Sequence, residues 1–236
     1  MKWDDYDAAL FDLDGVLTPT AEVHMDAWAL MFTEFLADYT DQSEYTDQDY
    51  FDHVDGKPRY EGVATFLASR GIELPYGDVG DEPGAQTVCG LGNRKNAAFT
   101  AVLARDGIEP YPGSLQLIDH LETLGVHQAV VSSSKNAPDV LTAAAIAERF
   151  PVVIHGGVAA EQGIPGKPRP DTYTYAAAQL GVPTQRCVVF EDAISGVQAG
   201  AAGDFGLVVG VDRGAGAEAL RRHGADIVVS DLAELI

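Results

Sequence analysis

Ala8-Ala9-Leu10-Phe11-Asp12-Leu13-Asp14-Gly15 is the stretch that decides how this chain folds. Its short apolar run predicts a buried strand, and the Asp-x-Asp-Gly that follows sets acidic groups and a turn at the strand's C-terminal end. Open α/β sheets place their ligands at such ends. Outward from it, further apolar strands are expected only much later, at residues 129–131, 152–154, 187–190, 207–211 and 227–229. Residues 138–149, 171–180 and 194–202 lie between them and read as helices, rich in Ala and punctuated by Gly or Pro. Strand alternating with helix predicts an α/β fold built of βαβ units around a mostly parallel sheet.

Residues 20–107 break that rhythm. Ala21, Met25, Trp28, Phe32 and Phe35 recur at helical spacing, and further helical patterns run through 61–69 and 94–105. A helical insertion is expected here, with 1–19 and 108–236 forming one core. Thr18-Pro19-Thr20 and Glu109-Pro110-Tyr111-Pro112-Gly113 supply turn chemistry at its two boundaries. Residues 38–52, dense in acidic and polar side chains, and 75–84, rich in Gly, Pro and Asp, are expected to be solvated loops.

The chain has 236 residues, 36 acidic and 15 basic, for a net charge of −21, and it is 46% hydrophobic. Disorder requires low hydrophobicity beside high charge, and only the second condition holds. A charge of this sign repels nucleic acid and anionic lipid, so neither is an expected partner. Any small phosphorylated substrate must meet positive charge assembled locally. Cys89 and Cys187 stand far apart, without the spacing of a disulfide framework or a zinc site. No run approaches the roughly 18 apolar residues of a membrane span, and the N-terminus is unlike a secretory signal. A cytoplasmic monomer is the expectation.

Asp12 and Asp14 share one side of an extended segment, because side chains two apart share a face. Solvated turn aspartates would give the same pattern. A second acidic pair, Glu191-Asp192, also follows an apolar strand, and a parallel sheet can bring both pairs to one edge. Hard oxygen ligands of this kind suit Mg²⁺. Ser132-Ser133-Ser134-Lys135-Asn136 follows the strand at 129–131, where hydroxyls and free N–H groups can hold phosphate oxygens, or where a serine can simply cap a helix. Lys167 sits in Gly166-Lys167-Pro168-Arg169-Pro170-Asp171, whose prolines restrict the path of the loop. Carboxylates, hydroxyls and a lysine after successive strands make up a phosphoryl-transfer site.

These four motifs, in this order, resemble the haloacid dehalogenase superfamily. The resemblance implies a Rossmann-like core with a mobile helical cap inserted after the first motif. It implies that Asp12 is the nucleophile that becomes an aspartyl phosphate. Asp14 would be the general acid and base and lend its backbone carbonyl to Mg²⁺. Ser132 and Lys167 would hold the transferring phosphoryl group, while Glu191 and Asp192 complete the metal site with Asp12 and Asp14. Ser134, Lys135 and Asn136 join the substrate-binding residues.

The insertion resembles that of the β-phosphoglucomutase-like subfamily. Thr20-Ala21-Glu22-Val23-His24 with Ala27-Trp28, Asp55-Gly56-Lys57-Pro58-Arg59, and Arg94-Lys95-Asn96 match its segments. Thr20, His24, Gly56, Arg59 and Lys95 are thereby implied in substrate binding: Arg59 at the distal phosphate, Lys95 at the sugar, His24 coupling cap closure to Asp14. Seen alone, Arg59 and Lys95 would read as surface cations. The residues at 38–52 and 75–84 depart from the subfamily's pattern. The implied activity is Mg²⁺-dependent phosphoryl transfer on a sugar phosphate, converting β-glucose 1-phosphate to glucose 6-phosphate, with a sugar-phosphate phosphatase as the alternative. Dehalogenation needs no metal, so the acidic set argues against it.

Overall fold

The computed structural model describes residues 1–236. Six parallel strands form one sheet: β1 (Ala8–Phe11), β2 (His127–Val131), β3 (Val152–Ile154), β4 (Cys187–Glu191), β5 (Leu207–Val211) and β6 (Ile227–Val229), in the order β3-β2-β1-β4-β5-β6. This is the doubly wound, Rossmann-like α/β arrangement, with its switch point between β1 and β4, and ligands of such folds sit beyond that point. Every residue of β1 is buried, which explains its unbroken apolar run: a central parallel strand is covered on both faces. Phe11 pairs with Val130 on one side and Phe190 on the other. Its ring stacks on that of Phe190 at 4.6 Å and meets Phe150 edge-on. The residues after β1, β2 and β4 therefore emerge side by side.

The chain divides into two compact units, Met1–Thr20 with Ile108–Ile236, and Ala21–Gly107. In the first, α5 (Pro112–Leu124) begins at the Pro-Gly pair that reads as a turn in the sequence. Pro112 stands at the first helical position, where its missing N–H costs nothing, and Gly125 closes the helix in the left-handed conformation. The helix expected at 138–149 is two pieces, α6 (Ala137–Ala143) and a 3₁₀ turn at Ala147–Arg149. Ala145, at φ +54, takes the part usually given to glycine, and the Ile146 N–H returns to the Leu141 carbonyl at 3.0 Å. α7 is Gly156–Gln162, and α8 (Asp171–Leu180) and α9 (Ile194–Ala202) start and stop where their sequence signals lie.

The second unit has its own core. α1 (Thr20–Leu36), α2 (Asp47–His53), α3 (Arg59–Ser69) and α4 (Val88–Asp106) supply its helices. Trp28, Met31, Phe32, Phe35, Phe66 and Leu91 are buried together, with the Phe32 and Phe66 rings 3.9 Å apart. The acidic stretch at 38–52 is only partly the solvated loop its composition suggests, because all of α2 but its last residue lies within it. Thr46 and Asp49 form a capping box: the Asp49 N–H donates to the Thr46 hydroxyl, and the Thr46 N–H to the Asp49 carboxylate at 2.9 Å. Asp49 also takes both 2.8 Å bonds of the Arg70 Nη2, while Arg70 Nη1 donates to the Ser43 carbonyl and stacks on Phe66. One acidic residue of the run is thus structural. No helix of the chain is long and apolar enough to cross a membrane.

With its side chain only 11% exposed, Arg70 latches residues 43–49 to α3 more firmly than a surface ion pair would. Arg70→Ala should cost about 2 kcal/mol of unfolding free energy, read as a lower urea midpoint at unchanged slope. An unmoved midpoint would mean the latch carries no weight.

Candidate active site

Asp12 is the first residue beyond β1, and its N–H donates to the Phe190 carbonyl at 2.9 Å, so the sheet ladder itself fixes where its side chain begins. Lys167 Nζ lies 2.5 Å from Asp12 Oδ1, 2.5 Å from Glu191 Oε1 and 2.9 Å from the Val131 carbonyl. A lysine 2% exposed, reached from β1, β2 and β4 at once, closes the edge of the sheet. Tyr173 of α8 donates its hydroxyl to Glu191 Oε1 at 2.9 Å, and its ring lies 5.0 Å from the ammonium. The Ala193 N–H donates to Glu191 Oε2. Gly196 in α9 leaves the room that this carboxylate fills, since a Cβ there would run into it.

Asp14 stands on the turn that follows. The Thr20 hydroxyl donates to its Oδ1, Ser132 Oγ lies 3.4 Å from its Oδ2, and Thr18 and Thr20 share a 2.8 Å bond. Ser132 is the residue after β2 and, through its own N–H, bonds to the Ile154 carbonyl. Its hydroxyl accepts from the Ser134 N–H at 3.0 Å, and that of Ser134 accepts from the Asn136 N–H at 3.1 Å. The serines therefore shape the loop rather than cap α6. Asn136 is buried beside them, and Lys135 is exposed. Asp12, Asp14, Ser132, Lys167, Glu191 and Asp192 thus stand at one edge of the first unit.

The remaining residues singled out in the sequence belong to the second unit. Lys95, 4% exposed on α4, contacts His24 Nδ1 and lies 5.0 and 5.1 Å from the rings of Trp28 and Phe99. The His24 ring stacks flat on Phe99. Neither is a solvated surface group. Arg59 opens α3 and donates to Asn96 Oδ1 at 2.5 Å, with Asn93 Oδ1 at 3.4 Å. Gly56, at φ +69, makes the turn before it. Asn93 in turn donates to the Val79 and Asp81 carbonyls, so the loop at 75–84 is tied to the same cluster.

Tyr173 and Gly196 escape sequence reasoning. Tyr173 reads as one more core aromatic, and only a glycine inside an otherwise sound helix hints at Gly196.

Asp12, Glu191 and Asp192 can each offer a carboxylate oxygen within 4.8 Å of one another, all from buried residues. One ammonium balances this group only in part. Burial, with Glu191 and Asp14 nearby, raises the Asp12 carboxyl well above the ordinary range against the pull of Lys167. Burial alone would lower Lys167, yet Asp12 and Glu191 together hold it above the usual lysine value. A surplus of buried carboxylate oxygen fits a hard divalent cation.

The family model for haloacid dehalogenase-like hydrolases matches residues 6–204. A β-phosphoglucomutase of Mycobacterium bovis is 46% identical, covering 97% of this chain and 91% of that protein. One of Bacillus subtilis is 33% identical over the same shares. The solved β-phosphoglucomutase of Clostridium difficile superposes with a TM-score of 0.77 at 23% identity, over 98% of this chain and 93% of that one.

The raised Asp12 carboxyl has a measurable consequence. Between the ordinary carboxylate range and Asp12's own, the folded chain binds more protons than the unfolded one, so stability falls as pH rises through that window. In EDTA, the stability of the wild type relative to Asp12→Asn should decline over that window, and Mg²⁺, which favours the ionised form, should flatten the decline. A difference independent of pH in EDTA would contradict the environment described.

Proposed function

The chain belongs to the haloacid dehalogenase-like hydrolases, and on that premise we propose that it is a Mg²⁺-dependent phosphoryl-transfer enzyme that converts β-glucose 1-phosphate to glucose 6-phosphate. The observation that carries this reading is the Lys167 ammonium, 2.5 Å from both Asp12 and Glu191 at the switch point of the sheet. A buried cation beside a carboxylate is what an anionic nucleophile needs to approach an anionic phosphate. The 46% identity to a mycobacterial β-phosphoglucomutase supports the substrate class.

Asp12 is the nucleophile. Its oxygen forms a bond to phosphorus as the bond from phosphorus to the sugar oxygen breaks, leaving an aspartyl phosphate. Asp14, held by Thr20 and Ser132, gives a proton to the departing alkoxide and takes one from the sugar hydroxyl that attacks next. Lys167 and Ser132 hold the transferring group, with Ser134, Lys135 and Asn136 lining the same loop. Asp12, Asp192, Glu191 and the Asp14 carbonyl would hold Mg²⁺, which when bound neutralises phosphate charge and orients its oxygens. Arg59 binds the distal phosphate, Gly56 shapes its loop, Lys95 meets the sugar and His24 couples cap closure to Asp14. In a full cycle, the aspartyl phosphate passes its phosphoryl group to the 6-hydroxyl of the substrate. The resulting bisphosphate turns round and returns the group from C1 to Asp12, which releases glucose 6-phosphate.

The family's description as hydrolases favours a second reading, a sugar-phosphate phosphatase in which water meets the aspartyl phosphate. ³¹P NMR with Mg²⁺, β-glucose 1-phosphate and a trace of the bisphosphate separates the two: glucose 6-phosphate without free phosphate is the expected product, and predominant inorganic phosphate identifies the phosphatase. Asp14→Asn should fold normally and lose about 10² to 10⁴ in kcat. Wild-type turnover in that variant would remove Asp14 from the reaction.

A further inference from the structure

One guanidinium at this sheet edge lies outside the set of residues given a role above. Arg213 lies two residues beyond β5, in a loop that braces itself: Asp212 Oδ1 accepts from the Gly214 and Gly216 N–H groups at 3.1 and 3.0 Å. From that fixed base Arg213 Nε donates to the Gly15 carbonyl at 2.9 Å, and Nη1 to the Ser230 carbonyl at 3.0 Å. Its guanidinium carbon lies 3.9 Å from the centre of the Tyr111 ring. Tyr111 is itself tied to the turn after β1, since its N–H donates to the Leu17 carbonyl. Arg213 thereby joins the Asp12–Gly15 motif, the segment entering α5 and the segment after β6.

Gly15 is where this matters. Its φ of +83 belongs to the region that glycine alone enters freely, and a Cβ there would collide with the Asp192 carboxylate. The peptide joining Asp14 to Gly15 is planar, so the direction of its N–H sets that of the Asp14 carbonyl. That N–H donates to the Thr18 carbonyl at 2.8 Å, which turns the Asp14 oxygen the opposite way. The next torsion, ψ of Gly15, belongs to a residue with no Cβ to restrict it, and Arg213 is the side chain that holds the Gly15 carbonyl.

We propose that Arg213 is a positioning residue: by holding the Gly15 carbonyl it fixes the Gly15–Val16 peptide, the neighbour of the one that carries the Asp14 oxygen, and so keeps the Asp14 carbonyl and the Asp192 carboxylate in the register in which they would share one divalent cation. A planar fork that reaches two carbonyls and a ring at once is the property that distinguishes arginine from lysine.

The inference rests on the metal-dependent reading above, and its test keeps the two apart. Arg213→Met retains an apolar stem against Tyr111 and removes the donors. In the full-length chain, Mn²⁺ binding followed by EPR should weaken about tenfold or more, the scale of lost outer-sphere support. The thermal midpoint should stay close to that of the wild type. With β-glucose 1-phosphate, kcat should fall while KM changes less than about twofold, since the substrate contacts are untouched. Arg213→Lys, with one donor able to reach Gly15, should recover part of both losses. Wild-type Mn²⁺ affinity in folded Arg213→Met overturns the proposal. Should that variant fail to fold, Arg213→Lys decides: weakened Mn²⁺ binding supports the proposal and unchanged affinity overturns it. A wild type that binds Mn²⁺ yet turns over no sugar phosphate would defeat the functional reading alone, and the Mn²⁺ comparison would still judge Arg213.

Discussion

An ammonium buried among carboxylates is the constraint on which this molecule depends. Lys167 loses its water on folding, and such a charge is tolerated only with close partners. It finds Asp12 after β1, Glu191 at the end of β4 and the Val131 carbonyl at the end of β2. Replacing either acid would leave the other groups of the cluster mismatched inside a low-dielectric site. The compensation is incomplete: burial first, and then the negative charge of Glu191 and Asp14, keep the proton affinity of Asp12 high against the pull of Lys167. A divalent cation held by these carboxylates would favour the ionised form of Asp12.

The global charge of −21 makes the second unit's cations more informative than their number suggests. Lys95 is stripped of water and set against Trp28 and Phe99, and Arg59 is oriented by Asn96 and lies 5.7 Å from the Tyr60 ring. Aromatic faces lower the cost of desolvating a cation without neutralising it, whereas a carboxylate partner would cancel the field it presents. Both cations are thus set against aromatic rings rather than left in solvent. Arg70, by contrast, is spent on Asp49 and serves the fold.

Much of this was legible in the linear chain. The apolar run before Asp12 and its later counterparts imply a parallel sheet, and the strand ends carry the acidic pairs, the serines and, one loop later, Lys167. Alternation of strand and helix suffices for that inference because connection handedness leaves few topologies. Other features were hidden. The Thr46–Asp49 capping box disappears inside an acidic run whose composition argues for solvent. Pro112 looks like a turn because the residues that start helices also make turns. Tyr173 is indistinguishable from a packing aromatic until its hydroxyl is seen on Glu191.

What the sequence by itself determined is the fold class, the family and the kinds of chemical group available, because periodicity and motif order are properties of neighbours along the chain. What only the tertiary structure decided is which groups share a partner: Lys167 between Asp12 and Glu191, Lys95 against His24, and Arg213 on the Gly15 carbonyl. Arg213 follows Gly15 by 198 residues, and Lys167 follows Asp12 by 155. Sequence separations of that size carry no distance information until a sheet brings the strand ends together. Proton affinity depends on the same distances, since burial and neighbouring charge set it.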